Sequence, residues 1–209
     1  SGSAAVSVTR SYWMLVRSGD ITVKQFICPS SGDVEDDTEN LELYYDFQSV
    51  RNISYGYQVP FGPRDTQPRE GMDNRQILAA DRGPFYFAAT PPDFSTSGPT
   101  GGPLSTDDSP KDWRLFNSAN HGGSATGEGQ NALYADGHAN FVRIPATGID
   151  NDNIYTVMDD DWNNAQVVGA NRVWGSSPHI SADPNPYPGQ HALGDGPNNY
   201  SSTDTLIYP

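Results

Sequence analysis

Two groups of residues have types and spacing that could do chemistry. The first is His121, followed by Asp136-Gly137-His138, and the second is the acidic set Asp150, Asp152, Asp159, Asp160 and Asp161. Calcium takes six to eight oxygen ligands, from carboxylates, amides and carbonyls on loops. Asp150-x-Asp152 offers the alternate spacing with which an acidic calcium loop begins. Ile154 and Tyr155 then occupy the places where a helix–loop–helix site wants a ligand and a glycine. The acids therefore support calcium somewhere after Ile144, with Asp150, Asp152, Asp159, Asp160 and Asp161 as candidate ligands and no fixed set; a solvated acidic run is the alternative reading. His179 and His191, flanked by Asp183 and Asp195, are residue types that bind transition metals, but without a spacing signature they read as surface residues.

Other chemistries find less support. The chain has one cysteine, Cys28, so an intrachain disulfide and a Cys-based zinc site are excluded. No His or basic residue adjoins Cys28, which reads as a small core residue and not a reactive thiol. There is no Gly-x-Ser-x-Gly elbow for a serine hydrolase, and His121-Gly122-Gly123 alone is a weak oxyanion-loop signal. Gly127-Glu128-Gly129 precedes a strand, whereas a phosphate cradle turns into a helix N-terminus. A carboxylate pair for glycoside hydrolysis needs two acids singled out by context, and none is.

The elements that must position these residues follow from periodicity. Asn131–Ala135 and His138–Val142 alternate in character across Asp136-Gly137, which predicts an antiparallel hairpin closed by a two-residue type I′ turn. Tyr12, Trp13 and Val16 share a face of a short helix over Thr9–Ser18, with Thr9 as N-cap and Gly19 just past the end. Val23–Cys28 reads as a short strand before Pro29, and Leu41–Phe47 as a short helical or extended segment. Asn52–Val59 reads as an alternating strand, and Gln76–Asp81 as a buried strand ending in an acid that caps a loop or binds a cation. Thr90–Lys111 is an extended surface excursion, and the polar region from about 145 to 209 is irregular. The expected fold is α+β: a single domain over residues 1–209, with a short helix packed on an antiparallel sheet and long irregular loops.

Composition bounds the partners. With 26 acidic and 12 basic residues the net charge is −14, which repels nucleic acid and anionic membranes and suits cations. At 209 residues one domain can bury a real core. No apolar run approaches transmembrane length.

The stretch His121…Asn131-Ala-Leu-Tyr-Ala-Asp136-Gly137-His138 resembles the signature of prepilin-type, processing-associated proteins: a His, nine residues, then Asp-Gly. These are pseudopilin-like proteins similar to the major pseudopilins of type II secretion. Phe26-Ile-Cys-Pro-Ser30, Ile77-Leu-Ala-Ala-Asp81-Arg82-Gly83-Pro84 and Thr203-Asp204-Thr205-Leu206 fit the same resemblance, which thus spans most of the chain. The departure is spacing: residues 122 to 135 separate His121 from Asp136, about five more than the family pattern, and Gly122–Gly129 is the expected insertion. The resemblance implies a non-enzymatic structural subunit that assembles with other pilin-like subunits in protein secretion or a cell-surface filament. It places the protein in the cell envelope or outside the cell, and it raises calcium independently, since type II major pseudopilins bind it in a C-terminal loop. It also implies a hydrophobic membrane-anchoring helix upstream of Ser1, so this sequence reads as a truncated or processed fragment without membrane contact of its own, and Ser1-Gly2-Ser3 as a cloning remnant. His121, Asp136, Gly137 and His138 are then a structural motif, with His121 hydrogen-bonded near the hairpin. The rival reading is a secreted β-rich domain that binds or hydrolyses glycans, with Trp113, Trp162 and Trp174 as stacking platforms.

Overall fold

Tyr12, Trp13 and Val16 recur at helical spacing, and helix α1 spans Arg10–Ser18 with Trp13 and Val16 buried. The structure is a computed structural model that describes residues 8–60, 64, 67–86, 101, 104–122, 126–156, 173, 203 and 205–208. Thr9 stands at the N-cap, but its hydroxyl donates to Asp46 Oδ1 (2.7 Å), while its carbonyl accepts from Tyr12 and Trp13. Gly19 closes the helix, its N–H reaching the Leu15 and Val16 carbonyls. The buried face of α1 packs on Phe26, Phe47 and Ile53, with Trp13 and Phe47 edge to face at 5.0 Å. Truncation of a fully buried aromatic such as Trp13 costs about 3–5 kcal/mol, so this cluster anchors the helix.

Among the described residues, five strands form one antiparallel sheet: β1 (Tyr55–Gln58), β2 (Ile77–Asp81), β3 (Gln130–Tyr134), β4 (Ala139–Val142) and β5 (Ile207–Tyr208), in the order β4-β3-β2-β1-β5. The fold is thus α+β, a short helix on an antiparallel sheet. Ile77, Ala80, Ala132 and Ile207 bury against Trp113, Phe116, Ile154 and Tyr155 in the main core. Tyr12 ties α1 to β1 through an edge contact with Tyr57 (5.5 Å) and a hydrogen bond to the Gly56 carbonyl (3.3 Å).

Four expectations about elements need correction. Val23–Cys28 is not a strand: Val23–Phe26 is a 3-10 turn, because the Gln25 side chain reaches back to accept from the Thr22 N–H (2.8 Å). The first strand is shorter than Asn52–Val59, since Val50–Asn52 is also a 3-10 turn, held by the Ser49 hydroxyl accepting from Arg51 N–H (3.2 Å). The region after residue 145 is not wholly irregular: β5 pairs with Tyr57 and Gln58, and Leu206, Ile207 and Tyr208 are buried.

The fourth correction is the hairpin register. β3 and β4 pair antiparallel, but Leu133 faces Ala139 and Ala132 faces Asn140, one residue off the two-residue register. Tyr134 donates to the His138 carbonyl and Gly137 to the Tyr134 carbonyl, both at 2.9 Å, so the loop is Ala135-Asp136-Gly137. Gly137 has φ 89, whereas Asp136 is not among the positive-φ residues. A type I′ turn would force Asp136 into the left-handed region; the three-residue turn with its bulge places only glycine there.

A Cys–Asp–His cluster as candidate functional site

Asp81 ends β2 with its side chain fully buried, and the sequence around it folds so that three distant segments meet there. Antiparallel pairing of β2 with β3 brings Asn131 alongside, where its backbone N–H (2.6 Å) and amide Nδ2 (3.1 Å) both donate to Asp81 Oδ2. The Asn120 amide donates to Asp81 Oδ1 (3.0 Å) and to the Ser54 carbonyl (2.7 Å), which fixes the loop before His121 against β1. His121 Nε2 then lies 3.1 Å from Asp81 Oδ2 and 3.0 Å from Asn131 Nδ2. The ring edge is braced by Phe141 at 5.7 Å.

Glu128 N–H donates to the His121 carbonyl (2.7 Å), so the chain at Glu128 is held beside His121. Gly127 passes so close to the chain that a Cβ there would fall 1.9 Å from the Ser118 carbonyl oxygen, and glycine is required at that position.

Cys28 follows the 3-10 turn at Val23–Phe26, and its carbonyl accepts from both Ser31 N–H (3.0 Å) and Ser31 Oγ (2.8 Å). Its Sγ sits 3.7 Å from His121 Nε2, across 93 residues of sequence. Cys28 is buried, as a core residue should be, but it does have a histidine as its neighbour, and the exclusion of a Cys-based zinc site holds only for sites built on several thiolates. Burial, then the Cys28 thiol and the Asp81 carboxylate, push the nearby Tyr55 hydroxyl up to about 12. Tyr155 donates to the Asp81 carbonyl (2.7 Å), and its hydroxyl is held well above the ordinary tyrosine range by burial and by Asp81.

Cysteine, histidine and aspartate are also the residue types of a nucleophilic triad. In a triad the base meets the nucleophile through one ring nitrogen and the orienting acid through the other. Here Cys28 Sγ and Asp81 Oδ2 approach the same nitrogen, Nε2. This conformation does not relay a proton from thiol to carboxylate; it gathers donor atoms around one point.

The other candidates lie apart. Asp136 Oδ1 accepts from the His138 backbone (3.1 Å) and pairs with His138 Nδ1, while the imidazole stacks on Tyr134 at 4.2 Å; these groups serve the turn. Asp152 is buried and accepts from Thr205 N–H (2.6 Å), while Asp150 is exposed with φ 56. Among the described residues, Cys28, Asp81 and His121 are the three ligand types that converge, and Asp150 and Asp152 join no such group. Asp159, Asp160, Asp161, His179, His191, Asp183, Asp195, Trp162 and Trp174 lie outside the described residues. Trp113 is fully buried beside Phe116, so it offers no face to a sugar.

Sequence reasoning reached His121 and Asp81 separately and missed their meeting with Cys28. Cys28 and His121 lie 93 residues apart, and no local pattern in the sequence signals their meeting. Comparison with protein-family models, with curated proteins and with solved structures finds no match.

Proposed function

We propose that this chain is the globular domain of a pseudopilin-like structural subunit that acts by assembly, not turnover, in protein secretion or a cell-surface filament. The observation that carries the reading is the convergence on Asp81. Segments that resemble the family at Phe26–Ser30, Ile77–Pro84 and His121–His138 lie far apart in sequence and meet there through Cys28, His121 and Asn131. A scaffold of this kind locks loops onto a sheet, as a rigid assembling subunit requires. Its partners are other pilin-like subunits, joined through a hydrophobic helix upstream of this domain, and its place is the cell envelope or the cell exterior. Calcium, held by acids after Ile144, belongs to the same reading. No helix among the described residues is long and apolar enough to cross a membrane.

The test is the gene and its product. The reading expects a type III signal with a hydrophobic helix upstream of this domain, and the full-length protein in sheared filament or envelope fractions. A cleavable signal peptide, with the protein free in the medium and cleaving or binding glycans, would overturn it.

A further inference from the structure

We propose that Cys28 Sγ, His121 Nε2 and Asp81 Oδ2 form a binding site for a zinc-class divalent ion. The three atoms all lie within 4.8 Å of one another, with Sγ–Nε2 at 3.7 Å and Nε2–Oδ2 at 3.1 Å. Tetrahedral zinc, with bonds of about 2.3 Å to sulfur and about 2.0–2.1 Å to nitrogen and oxygen, sets its ligand atoms roughly 3.3–3.6 Å apart. The two separations at Nε2 are already close to that size.

The hydrogen bonding points the same way. Nε2 carries either one proton or one lone pair. With a proton it serves Asp81 Oδ2 but opposes the Asn131 Nδ2 donor at 3.0 Å. With a lone pair it accepts from Asn131 but opposes the carboxylate oxygen. Turning the Asn131 amide over sets its oxygen against Asp81 Oδ2 instead, because Nδ2 and Oδ2 are 3.1 Å apart. A cation among the three atoms takes the lone pairs of sulfur, nitrogen and oxygen together. The exposed Asn131 side chain and the part-exposed imidazole mark the open side, where a water or the Asn131 amide oxygen completes four-coordination.

The donor set chooses the ion. A thiolate with an imidazole selects zinc-class metals over calcium and magnesium, which take oxygen. Asn120 on Asp81 Oδ1 and the Asn131 N–H on Oδ2 orient the carboxylate, as outer-shell groups do at built metal sites. The net charge of −14 favours retention of a cation.

The test strips the folded protein with a chelator and titrates it with cobalt(II), then with zinc. The expected result is one equivalent of cobalt with the intense visible bands of tetrahedral coordination and a near-ultraviolet thiolate-to-cobalt band, both abolished by one equivalent of zinc. Cys28 is the one cysteine in the chain, so the thiolate band in the wild-type protein already identifies it, whatever the fate of any variant. Cys28→Ser should remove that band, and His121→Ala should weaken zinc binding on the order of 100-fold, while Asp136→Asn leaves both unchanged. Weak octahedral absorption without a thiolate band, or zinc affinity unaltered in Cys28→Ser, would overturn the site and show adventitious binding only.

Discussion

At the scale of single residues the hairpin turn is the clearest case of conformation fixed by chemistry. Gly137 sits at φ 89 with open space around its Cα, so only backbone strain opposes a side chain there. Gly137→Val should therefore destabilise the protein by about 1 kcal/mol or more, read as a lower denaturation midpoint at unchanged slope. An unchanged midpoint would mean that the turn absorbs the strain. Asp136 beside it titrates low, because the His138 backbone N–H and then its imidazole bind the carboxylate form. Its folded pKa lies below the ordinary value of about 3.9. Its contribution is thus present above that value and is lost as pH falls through the folded pKa. A carboxyl titration followed by NMR should place Asp136 below an aspartate in an unstructured peptide, and His138→Ala should move it part of the way up, because the backbone N–H remains. A midpoint equal to the peptide value would break the link.

At the scale of elements the end of β2 is held by a buried ion pair. Arg82 Nη2 reaches both Asp33 oxygens at 2.9 Å, with the two side chains 2% and 3% exposed. Arg82 Nη1 donates to the Val50 and Ile53 carbonyls, and Ser54 Oγ donates to Asp33 (2.6 Å). The guanidinium thus joins β2 to the loop at Asp33 and to the turn before β1. Removing one partner leaves a buried charge alone, so Arg82→Ala should cost about 3–5 kcal/mol in urea unfolding. The double change with Asp33→Ala should cost less than the sum of the two single changes. A loss below about 1 kcal/mol would put the pair on a par with a surface ion pair.

Much at this scale was legible in the sequence, and the misreadings have local causes. The face of α1 was readable because Tyr12, Trp13 and Val16 repeat at helical spacing. The strand at Gln76–Asp81 was readable because it is a short apolar run that stops at an acid. Val23–Cys28 misled because its apolar residues outweighed the Thr22…Gln25 cap, a helix-start pattern that periodicity does not register. The hairpin was legible in place but not in register, since admitting Ala135 to the loop shifts every pair by one. The Cys28–His121 contact spans 93 residues, and no local pattern reports a contact of that range.

At the scale of the whole molecule the ordering of the described polar loops has to be offset. Fixing the backbone of each residue costs roughly 1–2 kcal/mol, and loops of low apolar content bury little to offset it. Some of the answer is visible: Asp152 holds the Thr205 N–H, and β5 returns to the sheet edge beside β1. Asp152 is thereby committed to a structural bond, and Asp150 stands exposed, so calcium would draw on Asp150 with Asp159, Asp160 and Asp161. A divalent ion shared by several of these carboxylates would relieve their mutual repulsion within a chain of charge −14 and stabilise the folded state by mass action. The expected outcome is a higher unfolding midpoint in millimolar calcium than in a calcium-selective chelator, with magnesium giving the smaller shift. The oxygen ligands of such a site are distinct from the thiolate cluster, so Cys28→Ser should leave the calcium shift intact while Asp159→Asn with Asp160→Asn reduces it. An equal midpoint in calcium, magnesium and chelator would remove calcium from the account, and leave Asp152 in its structural bond to Thr205 as the visible role of an acid after Ile144.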